Sequence, residues 1–182
     1  MKYTLLVSLV ILSVFNINDT ALAQEQATEL KVGDMSSTFF LKTLKGQDFF
    51  LRDYCGKLRQ PWKNKTQHIV ILSFFATWCK PCMEEIPILE KISHKYSDKN
   101  VKIFLVDVKE KKELVSKFIK DKNFQLPVLL DIYGVISKKY QVEKLPKLII
   151  VNRDGRVAFI KDGFDKDINS ILSFQLEKML EQ

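Results

Sequence analysis

The order of apolar and polar residues along the chain predicts strands that alternate with helices. Two runs rich in β-branched and aromatic residues, His68–Phe75 and Val101–Val108, predict buried strands. Apolar positions spaced by three or four residues predict helices over Pro81–Tyr96 and Glu110–Asp121. Strands that alternate with helices favour an α/β fold, in which a central sheet carries helices on both faces.

Two hairpins flank this alternating region and make the predicted sheet a mixed one. The first joins Thr38–Leu44 to Asp48–Arg52, and the second joins Leu148–Asn152 to Arg156–Ile160 across Asp154-Gly155, a strong turn signal. The remaining predicted elements are a short strand, a short helix and a closing amphipathic helix, at 126–130, 133–140 and 167–180.

Two finer predictions concern the placement of side chains. In the helix predicted over 110–121, we expect Leu114, Phe118 and Ile119 to face the core. Residues 55–66 are polar and basic and contain glycine and proline, which predicts an exposed loop.

The first 23 residues have the pattern of a secretory signal peptide. Lys2 is followed by the apolar stretch Leu5–Phe15 and by Ala21-Leu22-Ala23, a small-residue cleavage site. We therefore expect residues 1–23 to be removed and residues 24–182 to form a single exported domain, soluble after cleavage in the periplasm or a similar compartment. An uncleaved signal would instead leave a membrane tether.

The charge of the chain is positive but dispersed. The formal net charge is +7, and the lysines occur in small separate groups rather than in an arginine-rich block with interleaved aromatics. This pattern argues against nucleic acid as a partner. It fits a solvated basic surface, or attraction to an acidic partner or an anionic membrane.

Three cysteines carry the candidate chemistry. Cys79 and Cys82 are separated by two residues, between a predicted strand and a predicted helix, and Cys55 stands alone. Two thiols at such a junction can close a reducible disulfide, and the helix N-terminus stabilises the thiolate of the first one. A zinc site needs four ligands, and His68 and His94 lack the required spacing, so neither a metal nor another cofactor is predicted.

Five motifs extend over roughly residues 33–180, and in chain order they are FFATWCKPC (74–82), EEIP (84–87), LPVLLD (126–131), LPKLII (145–150) and DGRV (154–157). Together they resemble the TlpA/ResA/CcmG group of exported thioredoxin-like proteins. The resemblance implies a thioredoxin fold with an added N-terminal hairpin. It also implies thiol-disulfide exchange outside the cytoplasm, usually as a reductant of particular client proteins that draws electrons from a membrane thiol donor. Apocytochrome c is one candidate client.

The resemblance assigns catalytic roles to three residues. Cys79 is the expected nucleophile and Cys82 the resolving thiol. Generic thioredoxins carry a buried aspartate at the position of Ser73, whereas this family places a glutamate where Glu85 stands. A buried carboxylate there would accept the proton of Cys82. The alternative is that Glu85, like Glu84, is an ordinary solvated residue of the helix.

Five residues are expected to contact the client. Pro146 is predicted to be cis, which would expose the backbone around Leu145 for strand-like pairing. Trp78 is expected to pack beside Cys79 and shield it, with Lys80 and Pro81 completing the surface.

Two features depart from the family pattern. Leu58–Gln67 makes the link before the first buried strand about ten residues longer than usual, and its Pro61 and Trp62 would either contact a client or pin the loop to the body. Cys55 is either a free or partly buried thiol or the site of a regulatory disulfide.

Other functions on the same fold stay open at this point. An oxidase or an isomerase would differ in redox poise rather than in motif. A thiol-independent binding protein is a third hypothesis, against which the intact CxxC argues. A peroxidase of the peroxiredoxin kind would need threonine and proline where Ala76 and Leu72 stand.

Overall fold

A computed structural model describes residues 29–61 and 65–181. The predicted signal peptide, residues 1–23, and Trp62 lie outside the described residues. In the described ranges no helix is both long enough and apolar enough to cross a membrane.

The described residues form a seven-stranded mixed sheet. Its strands are β1 Phe40–Thr43, β2 Asp48–Phe50, β3 Ile69–Phe75, β4 Val101–Val108, β5 Val128–Asp131, β6 Lys147–Val151 and β7 Val157–Asp162, in the spatial order β2-β1-β5-β4-β3-β6-β7. The central strands β5, β4 and β3 are parallel, and an antiparallel hairpin forms each edge. Both predicted hairpins and the mixed sheet are confirmed.

Helices cover both faces of this sheet, as predicted. They are α1 Lys80–Lys95, α2 Lys112–Lys122, α3 Val135–Lys139 and α4 Ile168–Leu180, with one 3-10 turn at Leu51–Asp53. Alternate residues of β3 point to opposite faces. The side chains of β3 on the same face as Ile71 pack with α1 and α4. Those on the same face as Leu72 pack with α3 and the N-terminal hairpin. Helix α1 therefore has a fully buried strand beneath it, apolar except for Ser73.

The inward face of α2 differs from the prediction by one residue. Leu114 is 50% exposed, so its predicted core position is wrong, and Val115 is fully buried in its place. Phe118 and Ile119 are partly buried against the core, as expected. Val115 precedes Phe118 and Ile119 by three and four residues, which is helical spacing, so periodicity alone could not decide between Leu114 and Val115 as the buried residue.

The loop that carries Cys55 is fixed by a close contact between two glycines. Gly155 has φ of +87°, and a Cβ there would lie 2.9 Å from the Cα of Gly56. Gly56 N–H also donates to the carbonyl of Arg153 at 2.8 Å. Cys55 is only 2% exposed and Gly56 is also buried, so the predicted exposed loop is wrong at its first two residues.

Candidate active site

The CxxC pair lies where β3 gives way to α1. Cys79 and Cys82 form a disulfide, and Cys79 is the N-cap residue of the helix. Cys79 Sγ accepts a hydrogen bond from the N–H of Cys82 at 3.3 Å. Pro81 lies in the first turn, where its missing N–H would have no helical partner in any case. After reduction, the same N–H and the helix dipole favour a thiolate at Cys79.

Both sulfur-bearing residues lie below the surface, whereas the residues around them do not. Cys79 is 3% exposed and Cys82 is 1% exposed. Trp78 is 70% exposed, so most of its side chain faces solvent, and its shielding of Cys79 stays a prediction. Lys80 and Pro81 are exposed as well. The result is an exposed aromatic, basic and apolar surface around a sunken disulfide.

Glu85 lies one helical turn after Cys82 and is 1% exposed, so it is not a solvated helix residue, whereas its neighbour Glu84 is exposed. Ser73 Oγ donates to Glu85 Oε1 at 2.8 Å. Burial raises the pKa of Glu85 to about 7, against smaller lowering effects from the Ser73 hydrogen bond and from Lys161. Glu85 can therefore exchange a proton near neutral pH.

Lys161 also affects the pKa of Glu85, and no pattern in the sequence indicated this. Ser73 pairs with Leu148 across β3 and β6, and Leu148 pairs with Lys161 across β6 and β7, so the three side chains share a face of the sheet. The Lys161 ammonium group acts electrostatically on Glu85 and lies 3.1 Å from Asp165 Oδ2. No local pattern places a lysine of β7 near α1, so only the sheet order reveals it.

The Leu145–Pro146 peptide bond is cis, which confirms that prediction. β6 begins at Lys147, opposite Phe74 near the end of β3. Continuing this antiparallel register places Pro146 beside Phe75, just before the turn that carries the cysteines. Pro146 is buried and Leu145 is half-buried against the cluster that contains both cysteines.

Comparison with known proteins decides the family. Residues 32–160 match the AhpC/TSA family. Thiol-disulfide oxidoreductase ResA of Bacillus thuringiensis subsp. konkukian (strain 97-27) is 33% identical over 129 residues, which are 71% of this chain and 68% of that protein. A ResA of Bacillus cereus is 30% identical over 154 residues, 85% of this chain and 79% of that protein. The chain belongs to the AhpC/TSA family.

A solved structure supports the same conclusion. A putative thiol:disulfide interchange protein DsbE from Chlorobium tepidum matches with a TM-score of 0.73 and 26% identity, over 84% of this chain and 99% of that one. The resemblance to ResA-type and CcmG-type proteins is thereby confirmed. This AhpC/TSA family member is a thiol-disulfide oxidoreductase with a thioredoxin-like fold.

The turn before Cys79 in this oxidoreductase is held by a second residue that the sequence analysis missed. Glu110 accepts hydrogen bonds from Thr77 N–H at 2.6 Å and from the Thr77 hydroxyl at 2.7 Å. The sequence placed Glu110 at the start of a helix, which is wrong, because α2 begins at Lys112 and Glu110 lies in the preceding loop. An acidic residue before a helix gave no signal that its partner would be Thr77.

No group of three or more histidine, cysteine or acidic side chains in residues 29–61 and 65–181 could hold a metal ion. The chemical groups of this site are the sulfur atoms of Cys79 and Cys82, the carboxyl groups of Glu85 and Glu110, and nearby backbone N–H groups. Thiol-disulfide exchange requires a nucleophilic thiolate, a resolving thiol and a route for the proton.

Proposed function

We propose that this oxidoreductase is an exported reductant that takes electrons from a membrane thiol donor and reduces disulfides in particular client proteins. Apocytochrome c is a candidate client. The observation that carries the proposal is the Cys79–Cys82 disulfide at the N-terminus of α1, with the buried carboxyl group of Glu85 one turn further along the helix.

In the first step, the reduced form attacks the client. The thiolate of Cys79 forms a bond to one client sulfur, and the client S–S bond breaks, releasing the other client sulfur as a thiolate. The N-cap position supports this role, because the Cys82 N–H that lies 3.3 Å from Cys79 Sγ stabilises negative charge on that sulfur.

In the second step, Cys82 resolves the mixed disulfide. Its sulfur attacks Cys79 Sγ, the bond to the client breaks, and the client leaves with both sulfurs reduced. The two electrons that the client gains are those lost in forming the Cys79–Cys82 disulfide. Glu85 accepts the proton of the Cys82 thiol, a role supported by its burial and by a pKa raised to about 7.

The client-binding surface is formed by the exposed residues Trp78, Lys80 and Pro81 together with Leu145 and Pro146. An extended client segment would pair with the backbone at Leu145, alongside the end of β3, and present its disulfide to Cys79. Export is supported by the signal-peptide pattern of residues 1–23, and an uncleaved signal would tether the domain to the membrane.

The direction of electron flow is tested by the equilibrium potential of the Cys79–Cys82 pair. The measurement uses a Cys55→Ala variant, so that only one redox pair titrates. A potential near or below about −230 mV supports a reductant, whereas a potential near about −120 mV identifies an oxidant. Rescue of a scrambled-disulfide substrate would identify an isomerase instead.

The role of the thiols is tested separately with Cys79→Ser. We expect disulfide exchange with a model substrate to be lost, because the attacking sulfur is gone. Exchange that survives this change would reject thiol catalysis and favour a binding protein built on the same fold.

A further inference from the structure

Three carboxyl groups are buried at the ends of β4 and β5 and in the loop that follows β4. Asp107 is fully buried, Asp131 is 2% exposed and Glu110 is 8% exposed. Burying a carboxylate is costly unless hydrogen-bond donors replace the water that it loses. Each of the three therefore requires identifiable donors.

Two of the three have them. Asp131 accepts hydrogen bonds from the backbone N–H of Ile136 at 3.1 Å and of Ser137 at 2.6 Å. Glu110 accepts two from Thr77, through the backbone N–H and the hydroxyl. Both of these carboxyl groups are bound as carboxylates normally are, by donors only.

Asp107 is the exception. Its Oδ2 accepts the N–H of Glu110 at 3.3 Å, but its Oδ1 has no hydrogen-bond partner among the described residues. A side-chain hydrogen bond with Glu110 is one of the effects that raise the pKa of Asp107. Two carboxylates cannot form such a contact, whereas a protonated Asp107 can donate its O–H to the carboxylate of Glu110. A proton on Asp107 thus accounts for the oxygen that otherwise lacks a donor.

The charges around Asp107 favour this protonated form. Burial has the largest effect, and the acidic neighbours Glu110 and Asp131 add to it, so that the pKa of Asp107 is raised to about 8. Its partners across the sheet, Phe75 and Leu130, carry no charge.

Asp107 also lies on the active-site face of the sheet. Ile103 and Leu105, which precede it at alternate positions of β4, pack in the cluster that contains Cys79 and Cys82. These two cysteines, at the start of α1, do not titrate while they are joined in the disulfide. From α2, the buried residue on this face is Val115, which carries no charge.

We propose that Asp107 and Glu110 form a proton-sharing carboxyl pair that holds the turn from Thr77 to Cys79, and that both are positioning residues for the Cys79 sulfur. The inference rests on the proposed function, because it assigns the pair a purpose in thiol exchange. Glu110 binds Thr77 at both the backbone and the side chain, and Thr77 is two residues before the nucleophile. Loss of the shared proton gives the two neighbouring carboxyl groups like charges and weakens the hydrogen bonds from Thr77 to Glu110.

The decisive experiment observes the turn in the oxidised full chain, where neither active-site thiol titrates. A Trp62→Phe background leaves Trp78 as the only tryptophan, one residue from Thr77. We expect its fluorescence to change with a midpoint near pH 8. Asp107→Asn should abolish this transition, because the amide donates to Glu110 at every pH.

Two controls identify the group responsible. Glu113→Gln, which neutralises an exposed glutamate at the start of α2, should leave the transition unchanged. Glu85→Gln should also leave it in place. The inference is overturned if the transition survives in Asp107→Asn, if it disappears in Glu85→Gln, or if the parent shows no transition.

A second experiment tests positioning directly, through the rate at which the reduced protein reduces a small disulfide. Glu110→Gln replaces one acceptor for Thr77 with a donor, and Thr77→Val removes the hydroxyl. Each should slow exchange by about tenfold, since small displacements of reacting groups are costly. Unchanged rates in folded Glu110→Gln and Thr77→Val would reject positioning while leaving the proposed function intact. Loss of the proposed function would appear separately, as exchange that persists in Cys79→Ser.

Discussion

The two cysteine environments of this protein are equally buried but chemically opposite. Cys79, Cys82 and Cys55 are 3%, 1% and 2% exposed. The active-site pair packs on the face of the sheet covered by α1, whereas Cys55 packs on the other face with the N-terminal hairpin. Accessibility of the cysteine residue therefore does not distinguish the redox-active sulfurs from the inert one.

The difference lies in the polar groups that each sulfur faces. Cys79 has the N–H of Cys82 and the N-terminus of α1 to stabilise negative charge. The Cys55 thiol makes only a weak contact to the Leu51 carbonyl at 3.9 Å, and burial, followed by the charge of Asp154, raises its pKa to about 12. Burial is therefore the main reason that Cys55 is a poor nucleophile, whereas at Cys79 the Cys82 N–H and the N-terminus of α1 offset the same cost.

The largest expected effect that would sharpen this comparison is a difference in alkylation rate. At pH 7 a thiol with a pKa of about 12 is ionised to roughly one part in 10⁵, so Cys55 should be nearly unreactive. In the reduced native protein, we expect iodoacetamide to modify Cys79 at least about a thousandfold faster than Cys55. Mass spectrometry of timed samples measures both rates, and labelling in denaturant provides the control. Comparable native rates would contradict the comparison.

The next effect concerns Glu85, the proposed proton acceptor on the active-site face. Glu85 must be ionised to accept the Cys82 proton, so exchange should rise as the pH passes through about 7. Glu85→Gln should lower the rate above that pH by about a hundredfold and remove this dependence. Glu84→Gln, at the exposed neighbouring position, is the matched control and should retain the parental profile.

The same glutamate should affect stability with a definite sign. Because burial raises its pKa from 4.5 to about 7, Glu85 favours the folded state most below pH 4.5, and this contribution is lost as the pH rises through 7. As the pH rises from 4.5 to 8, the free energy of unfolding of Glu85→Gln should therefore increase relative to that of the parent by up to about 3 kcal/mol. Urea denaturation at the two pH values measures the difference. Parallel stability curves for parent and variant would show that the carboxyl group is not perturbed.

A smaller effect is expected from a substitution that exposes Cys55 and leaves the surroundings of Cys79 unchanged. Gly155→Ala combines a positive φ with a contact of 2.9 Å to Gly56, and should destabilise the protein by about 1–3 kcal/mol. We expect alkylation of Cys55 to accelerate while that of Cys79 stays the same. Gly46→Ala is the control, because Gly46 has a similar φ of +81° but nothing within 4 Å. Equal effects of the two changes would assign the whole cost to the backbone.

The smallest effect is expected from removing the inert sulfur. Cys55→Ala deletes one buried atom from an apolar cluster and should cost about 1 kcal/mol. The exchange rate and its pH profile should match those of the parent. A marked loss of exchange in the folded variant would favour the regulatory disulfide that the sequence left open.

Much of the fold followed from local patterns. β4 has the predicted bounds, β3 and α1 differ from prediction by one residue, and β5 begins two residues later than predicted, at Val128. The junction between β3 and α1 was predictable because each of its determinants is local: an apolar run, then the CxxC pair, then Pro81 in the first turn. The cis bond before Pro146 followed from the resemblance rather than from the residues alone.

The sequence by itself therefore determined the order of the elements, the family and the two reactive sulfurs, because periodicity and motif spacing are properties of neighbouring residues. Only the tertiary structure decided which distant groups meet. It placed Glu110 on Thr77 across 33 positions, Lys161 near Glu85 through the order of the strands, and Gly56 against Gly155 over the buried Cys55. These contacts depend on how helices and strands pack, which no local pattern encodes, and the same packing buries Glu85 and so raises its pKa.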